Sequence, residues 1–241
     1  MDVLIRGVRA MAIEGAIAEE TATRLEWMQK AQPQAATNGD DIKKRIKRSR
    51  WRARKLTPLL KYYAAESAVH ITRMNMQVHG GYGYSAEYEA ERLLRDALVL
   101  PVYEGTSQIQ ALMAFKDAMT DAMKRPQRFL QRMAQAKLDA VTSLDGLERS
   151  YHSMRSLAFS AQQRILLRIA KRKWNKAISG PLPKFIDAFT KDWDPKRDFA
   201  FGLLHAENLC RILAEVQIAG ILLRQAEQFP ERRELAERWI D

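Results

Sequence analysis

The chain has 241 residues, of which 46% are hydrophobic, and it carries a formal net charge of +11. That much apolar material can bury a core, so the composition favours a folded protein over an intrinsically disordered one. A single cysteine and four histidines without metal-ligand spacing exclude a disulfide framework and a thiolate-rich metal cluster, and no metal site is predicted.

Helix-forming residues dominate, whereas valine, isoleucine and threonine are scattered and no segment alternates with a period of two. We therefore predict an all-α fold, a helical bundle followed by a second helical module. The single cysteine and the absence of a signal-peptide apolar block at the start predict a reducing, cytoplasmic location. The charge of +11 favours anionic partners, namely nucleic acid, an acidic membrane surface or a phosphate-bearing cofactor, without choosing among them.

Residues 3–31 carry apolar side chains at helical spacing and predict the first helix, which a loop over 32–40 follows. The helical pattern is already established at the first residues, without a capping residue. We therefore expect a further helix, or a whole domain, upstream of this sequence.

Lys43 to Lys55 contains nine basic residues in thirteen, with Trp51 among them. One interpretation is a surface for nucleic acid or acidic lipid, because arginine and tryptophan pair with phosphate or stack. The other is a solvated helix face beside a loop, which is what charge runs usually are.

Thr57 and Pro58 have the pattern of an N-cap followed by proline at the first helical position, and predict a helix that ends at His79 with Gly80 as C-cap. Ser85 is predicted to cap a short helix over 86–98.

After a loop from Pro101 to Gly105, Thr106 or Ser107 is predicted to open a further helix, which ends before Pro126. We place a domain boundary there, with a helical-bundle domain over 1–124 and a helical extension over 125–241. Helical patterns continue over 129–144, 147–178 and 199–223 and after Pro230, with breaks at 180–183 and 191–196.

The glycine cluster Gly80-Gly81-Tyr82-Gly83 superficially suggests a phosphate-binding turn. A dinucleotide-binding loop follows a strand and opens a helix, whereas this cluster follows a long predicted helix. The cluster alone is therefore weak evidence for a site, and a tight connection is the usual reason for such a turn.

The whole stretch Met76–Gln110 is far more specific. Its parts are Gln77-x-His79-Gly80-Gly81-x-Gly83-Tyr84, then Glu87-Tyr88, Glu91-Arg92 and Arg95-Asp96-Ala97, and finally Tyr103-Glu104-Gly105-Thr106-Ser107-Gln108-Ile109-Gln110. In order, residue type and spacing this stretch closely resembles the C-terminal helical domain of acyl-CoA dehydrogenases. The resemblance covers roughly half the chain, more loosely over residues 3–31.

The resemblance implies α,β-dehydrogenation of an acyl-CoA thioester, as in fatty acid β-oxidation, with FAD as hydride acceptor. Glu104 matches the base that removes the α-proton, and burial beside the flavin and acyl chain would tune it for that task. Its backbone N–H would help to hold the thioester carbonyl oxygen. Tyr103 and Gly105 match positions that lie against the substrate, and glycine there permits close approach.

The resemblance also implies FAD contacts. Thr106 and Gln108 match positions that touch the flavin cofactor. Gln77, Val78, His79, Gly80 and Gly81 match a segment that contacts the FAD held mainly by a neighbouring subunit. An oligomer is therefore expected, together with an electron acceptor such as electron-transfer flavoprotein.

The family also has an N-terminal helical domain and a middle β-domain, to which nothing in this sequence corresponds. Three explanations stay open: a fragment of a longer enzyme, one subunit of a heteromeric dehydrogenase with a chain that carries these domains, or a non-catalytic helical module. The competing class of function is a basic helical module that binds nucleic acid or an anionic membrane through Lys43 to Lys55.

Arg164 to Ile178 is a basic amphipathic stretch that includes Trp174. Peripheral contact with a membrane surface is one interpretation of this pattern, and a helix that packs in a bundle is the other.

Overall fold

The computed structural model describes residues 1–31, 39–178 and 200–240, and side chains within these ranges except for 39–40 and 172–178. No strand occurs in this part of the chain, so the prediction of an all-α fold is confirmed. The helices are α1 Asp2–Ala31, α2 Gly39–His79, α3 Glu89–Ala97, α4 Ser107–Lys124, α5 Pro126–Thr142, α6 Gly146–Ile178, α7 Ala200–Leu204, α8 Ala206–Gln228 and α9 Arg233–Ile240, with 3₁₀ turns at Gly80–Tyr84 and Pro230–Arg232.

Contacts divide the chain into two compact units. The first consists of Met1–Gln110 with Gln217–Asp241, and the second of Ala111–Val216. The predicted boundary near residue 124 concerns a different division, between a family domain and an extension. The two compact units do not test it, so it stays a prediction. The predicted loop over 32–40 lies outside the described residues at 32–38 and is wrong at Gly39 and Asp40, which already belong to α2. The predicted breaks at 180–183 and 191–196 lie outside the described residues.

The first unit is built on an antiparallel hairpin of α1 and α2. The ion pairs from Arg50 to Glu26 and from Arg52 to Glu14 show that the two helices run in opposite directions, since the later residue of α2 meets the earlier residue of α1. Helix α9 packs against α1 at Gly7, where an added Cβ would lie 2.4 Å from the Trp239 ring. A side chain is excluded at Gly7 for this reason.

Helix α2 is continuous through Pro58, so the predicted helix start at Thr57 and Pro58 is wrong. Thr57 does not cap a helix; its Oγ1 donates to the carbonyl of Ala53 one turn earlier, 2.9 Å away. Proline inside a helix removes one backbone hydrogen bond and costs about 3 kcal/mol. Burial of Leu56 and Leu59, on either side of the proline, offsets that cost and keeps the two halves in one helix.

The end of α2 agrees with prediction. The helix stops at His79, and Gly80 adopts φ 60°, the left-handed conformation of a glycine C-cap. Ser85, in contrast, is not the N-cap of the next helix, because α3 begins at Glu89 after Tyr88. The Ser85 hydroxyl instead accepts from the backbone N–H of Glu87, two residues on, in a local turn.

The second unit has its core where α4, α6 and α8 meet. The buried side chains are Phe115, Met119, Ile165, Ile169, Ala206 and Leu209. Gly202 on α7 lies against this core, since an added Cβ would be 2.5 Å from Cζ of Phe115. None of the helices in the described ranges combines the length and apolar composition needed to cross a bilayer.

Candidate functional site

The connection between α3 and α4 is a chain of tight turns that ends in a left-handed pair. Glu104 has φ 51° and Gly105 has φ 94°, and Glu104 is the one non-glycine residue with positive φ in the described part of the chain. A left-handed conformation costs a residue with a Cβ about 1–3 kcal/mol, and such outliers cluster at functional sites. The sequence predicted the break at this loop but not its strained residue.

Gln110 of α4 holds the left-handed pair, and Thr106 caps the helix that follows it. Gln110 donates from Nε2 to the carbonyl of Glu104 at 3.3 Å. The same nitrogen would lie 2.7 Å from a Cβ at Gly105, so a side chain there would displace the Gln110 amide. Thr106 is the N-cap of α4, because its Oγ1 accepts from the N–H of Ile109 at 3.3 Å. The prediction that Thr106 or Ser107 opens this helix is confirmed.

Helix α2 ties down both ends of the loop. Lys61 donates from Nζ to the carbonyl of Leu100 at 2.7 Å and lies 4.0 Å from the centre of the Tyr103 ring. Ser107 donates from Oγ to Oε1 of Glu66 at 2.5 Å. Sequence reasoning missed Lys61 and Glu66, because their partners lie 39 and 41 residues away and no local pattern shows the pairing.

Lys61→Met is expected to loosen this loop. The substitution keeps a long side chain and removes the hydrogen bond to Leu100 and the cation over Tyr103, a loss of about 1 kcal/mol at a half-buried position. The N–H of Tyr103 donates to Val99 at 3.2 Å within the loop, and its hydrogen exchange should become about five-fold faster. Lys43→Met, at an exposed position on the same helix, should leave that exchange unchanged; an equal change in both variants, or in neither, contradicts the role of Lys61.

The Glu104 side chain is exposed, as are Tyr103, Thr106 and Gln108, whereas Gly105 is half-buried. In the described part of the chain the backbone N–H of Glu104 meets no acceptor, so it is available to a ligand. The left-handed turn therefore presents a carboxylate and an N–H donor from a single residue. Surroundings that would bury this carboxylate are not supplied by the described residues.

The second predicted cluster lies at the end of α2. Gln77, Val78, His79, Gly80 and Gly81 are all exposed, Val78 by 74%. Nδ1 of His79 lies 2.9 Å from the carbonyl of Asn75, a local contact within the helix end.

The glycines of this cluster differ in the structural constraint that requires a glycine. Gly80 needs its left-handed φ, and a Cβ at Gly83 would lie 2.5 Å from the carbonyl oxygen of Met76. Gly81 has neither constraint, because φ there is not positive and no atom of the described ranges lies within 4 Å of an added Cβ. The fold of this unit thus explains Gly80 and Gly83 and leaves Gly81 unexplained.

The two clusters lie at different levels of α2. The Glu104 loop is fixed at Glu66 through Ser107, and Gln77 follows eleven residues later on the same helix. At 1.5 Å per residue the separation along the axis is about 17 Å. The structure therefore does not gather all predicted cofactor contacts around one point.

Neither the single cysteine nor the metal-ligating side chains of the described residues form an alternative reactive site. Cys210 is fully buried, and burial, followed by the nearby Glu207 carboxylate, raises the pKa of its thiol to about 12. The thiol is therefore protonated at neutral pH and is not a nucleophile. Within the described ranges, no group of three or more His, Cys, Asp or Glu side chains could hold a metal ion.

Part of the basic run pairs with acids of α1. Arg50 makes a bidentate ion pair with Glu26, at 2.9 and 3.0 Å, and also contacts Glu19. Arg52 contacts Glu14, and burial, followed by the charge of Arg224, lowers the pKa of Arg52. Arg50 and Arg52 are thus engaged within the hairpin, which the solvated-face interpretation did not predict.

Residues 8–119 match the family model for the acyl-CoA dehydrogenase C-terminal domain. This segment belongs to the acyl-CoA dehydrogenase family. The predicted resemblance is confirmed, and the candidate site lies inside the matched acyl-CoA dehydrogenase segment.

Individual relatives match only part of this chain, and each match also covers only part of the relative. The caffeyl-CoA reductase-Etf complex subunit CarC of Acetobacterium woodii is 47% identical over 60 residues, 25% of this chain and 16% of that protein. The 3-methylmercaptopropionyl-CoA dehydrogenase of Ruegeria pomeroyi is 31% identical over 131 residues, 53% of this chain and 22% of that protein. The chain thus spans about a fifth of the length of these relatives.

A solved acyl-CoA dehydrogenase has a similar fold. The crystal structure of an acyl-CoA dehydrogenase complexed with FAD from Bacillus anthracis superposes with a TM-score of 0.56 at 17% identity, over 99% of this chain and 39% of that one. At this identity the likeness concerns the fold alone.

Proposed function

We propose that this chain supplies the C-terminal helical part of a flavin-dependent acyl-CoA dehydrogenase that oxidises an acyl-CoA thioester to its α,β-unsaturated form, in fatty acid β-oxidation. The observation that carries the proposal is Glu104, a carboxylate held in a left-handed turn within the family segment. Strain of this kind persists only where the surroundings impose it, and here Lys61, Glu66 and Gln110 do so.

In the proposed reaction Glu104 removes the α-proton of the thioester. Its exposure in this unit supports the role, since a substrate can reach the carboxylate without rearrangement of the core. The available N–H of the same residue would donate to the thioester carbonyl oxygen, where negative charge develops as the proton leaves. Tyr103 and Gly105 would flank the acyl group.

FAD, when bound, would accept the β-hydrogen as hydride. We assign its contacts to Thr106 and Gln108 beside the base, and to the segment Gln77–Gly81, which includes Val78, His79 and Gly80. Three observations support contact with two flavin sites of an oligomer: both clusters are exposed, no atom of the described residues lies within 4 Å of an added Cβ at Gly81, and the clusters are about 17 Å apart along α2.

The partners proposed with this function are acyl-CoA and an electron acceptor such as electron-transfer flavoprotein. A relative whose name includes an Etf complex supports the second. The reduction of an enoyl-CoA is the reverse reaction, in which the same carboxylate would return a proton to the α-carbon. Association with itself, or with a chain that carries the remaining domains, in the cytoplasm, completes the proposal.

The proposal is tested by isolating the full chain together with the proteins that co-purify with it from its own cells. We expect a flavin absorption band that an acyl-CoA bleaches under anaerobic conditions. A complex that contains no flavin, does not take up added FAD and shows no acyl-CoA-dependent absorption change would overturn the proposal.

A further inference from the structure

The described residues of α1 and α2 that lie nearest to the connection between these helices have an unusual surface composition. On α1 it includes Trp27 and Met28, which are 67% and 62% exposed, and the exposed Lys30. On α2 it includes Trp51, which is 44% exposed. The rest of this surface, which we call the hairpin tip, consists of one exposed carboxylate, Asp41, and five exposed basic residues: Lys43, Lys44, Arg45, Lys47 and Arg48.

The bidentate ion pair between Arg50 and Glu26 brings the two halves of the tip together. Its two hydrogen bonds, at 3.0 and 2.9 Å, join α1 and α2 beside this surface. Trp27 and Trp51 each follow one member of that pair in sequence. Arg50 also contacts Glu19, so these ion pairs place the two tryptophans on neighbouring segments of the hairpin, and the basic residues of α2 precede Trp51 in sequence.

Stability of the hairpin does not account for this surface. Lys43 and Lys47, like Lys44 and Arg48, are like charges four residues apart on one helix, an arrangement that weakens a helix. The exposed indole of Trp27 contributes little to a core. Arg50 and Arg52 of the same run are engaged by α1 acids, so the exposed charge is concentrated at the tip.

We propose that the hairpin tip docks on the surface of an anionic lipid bilayer. Tryptophan prefers the interface between water and hydrocarbon, where its ring is apolar and its N–H stays hydrated, and methionine adds apolar area beside it. Six surrounding basic residues complement anionic headgroups. The surface is on the first unit and does not depend on the function proposed for Glu104.

A bilayer fits this surface better than nucleic acid does. Proteins that bind single strands line a groove with stacking aromatics and follow the phosphate backbone along it. The tip is the end of a two-helix hairpin, with its indoles on separate helices. Exposed indoles with lysine and arginine neighbours match the apolar and charged layers of a bilayer surface, which nucleic acid does not combine in this way.

Co-sedimentation of the full chain with vesicles tests the proposal. Vesicles of phosphatidylcholine and phosphatidylglycerol in equal parts should bind the chain at low salt, and vesicles of phosphatidylcholine alone should bind it at least ten-fold more weakly. Added salt should release the chain, because the charges are exposed. Lipids brominated near the headgroup should quench tryptophan fluorescence, and Trp27→Phe with Trp51→Phe should abolish most of that quenching.

Charge variants separate the tip from the overall charge of the chain. Lys43→Gln, Lys44→Gln and Lys47→Gln together should weaken binding to the anionic vesicles at least ten-fold. Arg128→Gln, Arg132→Gln and Lys137→Gln, at exposed positions on α5, remove the same charge and should change it less than about two-fold. All six positions are exposed, so both triple variants should keep the wild-type circular dichroism spectrum.

Three results would overturn the proposal: no binding of the wild-type chain to anionic vesicles, equal weakening in both triple variants, or quenching that persists without Trp27 and Trp51. A duplex or single-stranded DNA that displaces the chain from anionic vesicles and binds it more tightly through the same three lysines would assign the tip to nucleic acid instead.

Discussion

Glu104→Gln is expected to slow the reduction of bound flavin by acyl-CoA about 10³-fold, the scale of a general base, while the flavin stays bound. Glutamine has the shape of glutamate but cannot accept the α-proton at neutral pH. The left-handed φ and the hydrogen bond from Gln110 to the backbone carbonyl are independent of the side chain. The variant should therefore keep the loop and lose only the chemistry.

Anaerobic rapid mixing of the flavin-containing complex with acyl-CoA measures this rate directly. Glu89→Gln, an exposed carboxylate at the start of α3 in the same family segment, is the matched control and should reduce flavin at the wild-type rate. Glu104→Asp keeps a carboxylate on a shorter side chain and should retain part of the rate. Full-rate reduction in Glu104→Gln would remove Glu104 from the reaction, and flavin loss in that variant would assign it a binding role instead.

The local features of this site could be predicted from sequence because they depend on neighbouring residues. Gly80 ends α2 in the left-handed conformation, and Thr106 caps α4 through a bond to Ile109 three residues on. Each follows from the chemistry of one residue type at a helix end. The positions of the candidate base and of both predicted clusters came from the resemblance to the acyl-CoA dehydrogenase family. Such a family pattern carries information on three-dimensional placement that single residues do not.

The features that sequence reasoning missed depend on distant partners. Thr57 and Pro58 have the sequence pattern of a helix start, yet α2 continues through Pro58 as a single helix. Burial of apolar side chains on both sides of Pro58 offsets the backbone hydrogen bond that proline cannot make. Lys61 is indistinguishable in sequence from a surface lysine until α2 meets Leu100 and Tyr103. In the same way, the charge of Arg50 is offset by Glu26, which is 24 residues away on another helix.

A pair of glycine substitutions separates the structural from the ligand-binding part of the helix end. Gly83→Ala should lower the free energy of unfolding by about 2 kcal/mol, because its Cβ would lie 2.5 Å from the Met76 carbonyl oxygen and 2.9 Å from Cβ of His79. Backbone at that distance cannot rotate away as a side chain can, so the 3₁₀ turn itself must shift. The Cβ of Gly81→Ala meets no atom within 4 Å among the residues that the structure describes, and the substitution should change stability by less than about 0.5 kcal/mol.

Denaturant unfolding of the full chain gives the first readout, and flavin retention of the complex gives the second. If Gly81 is glycine because a flavin lies against its backbone, Gly81→Ala should weaken flavin binding at least ten-fold without a stability change, since a methyl group would occupy the space of the ligand. A variant that is both stable and fully loaded with flavin would contradict the contact at Gly81. Loss of stability in Gly81→Ala would mean that its glycine serves the fold, as those at Gly80 and Gly83 do.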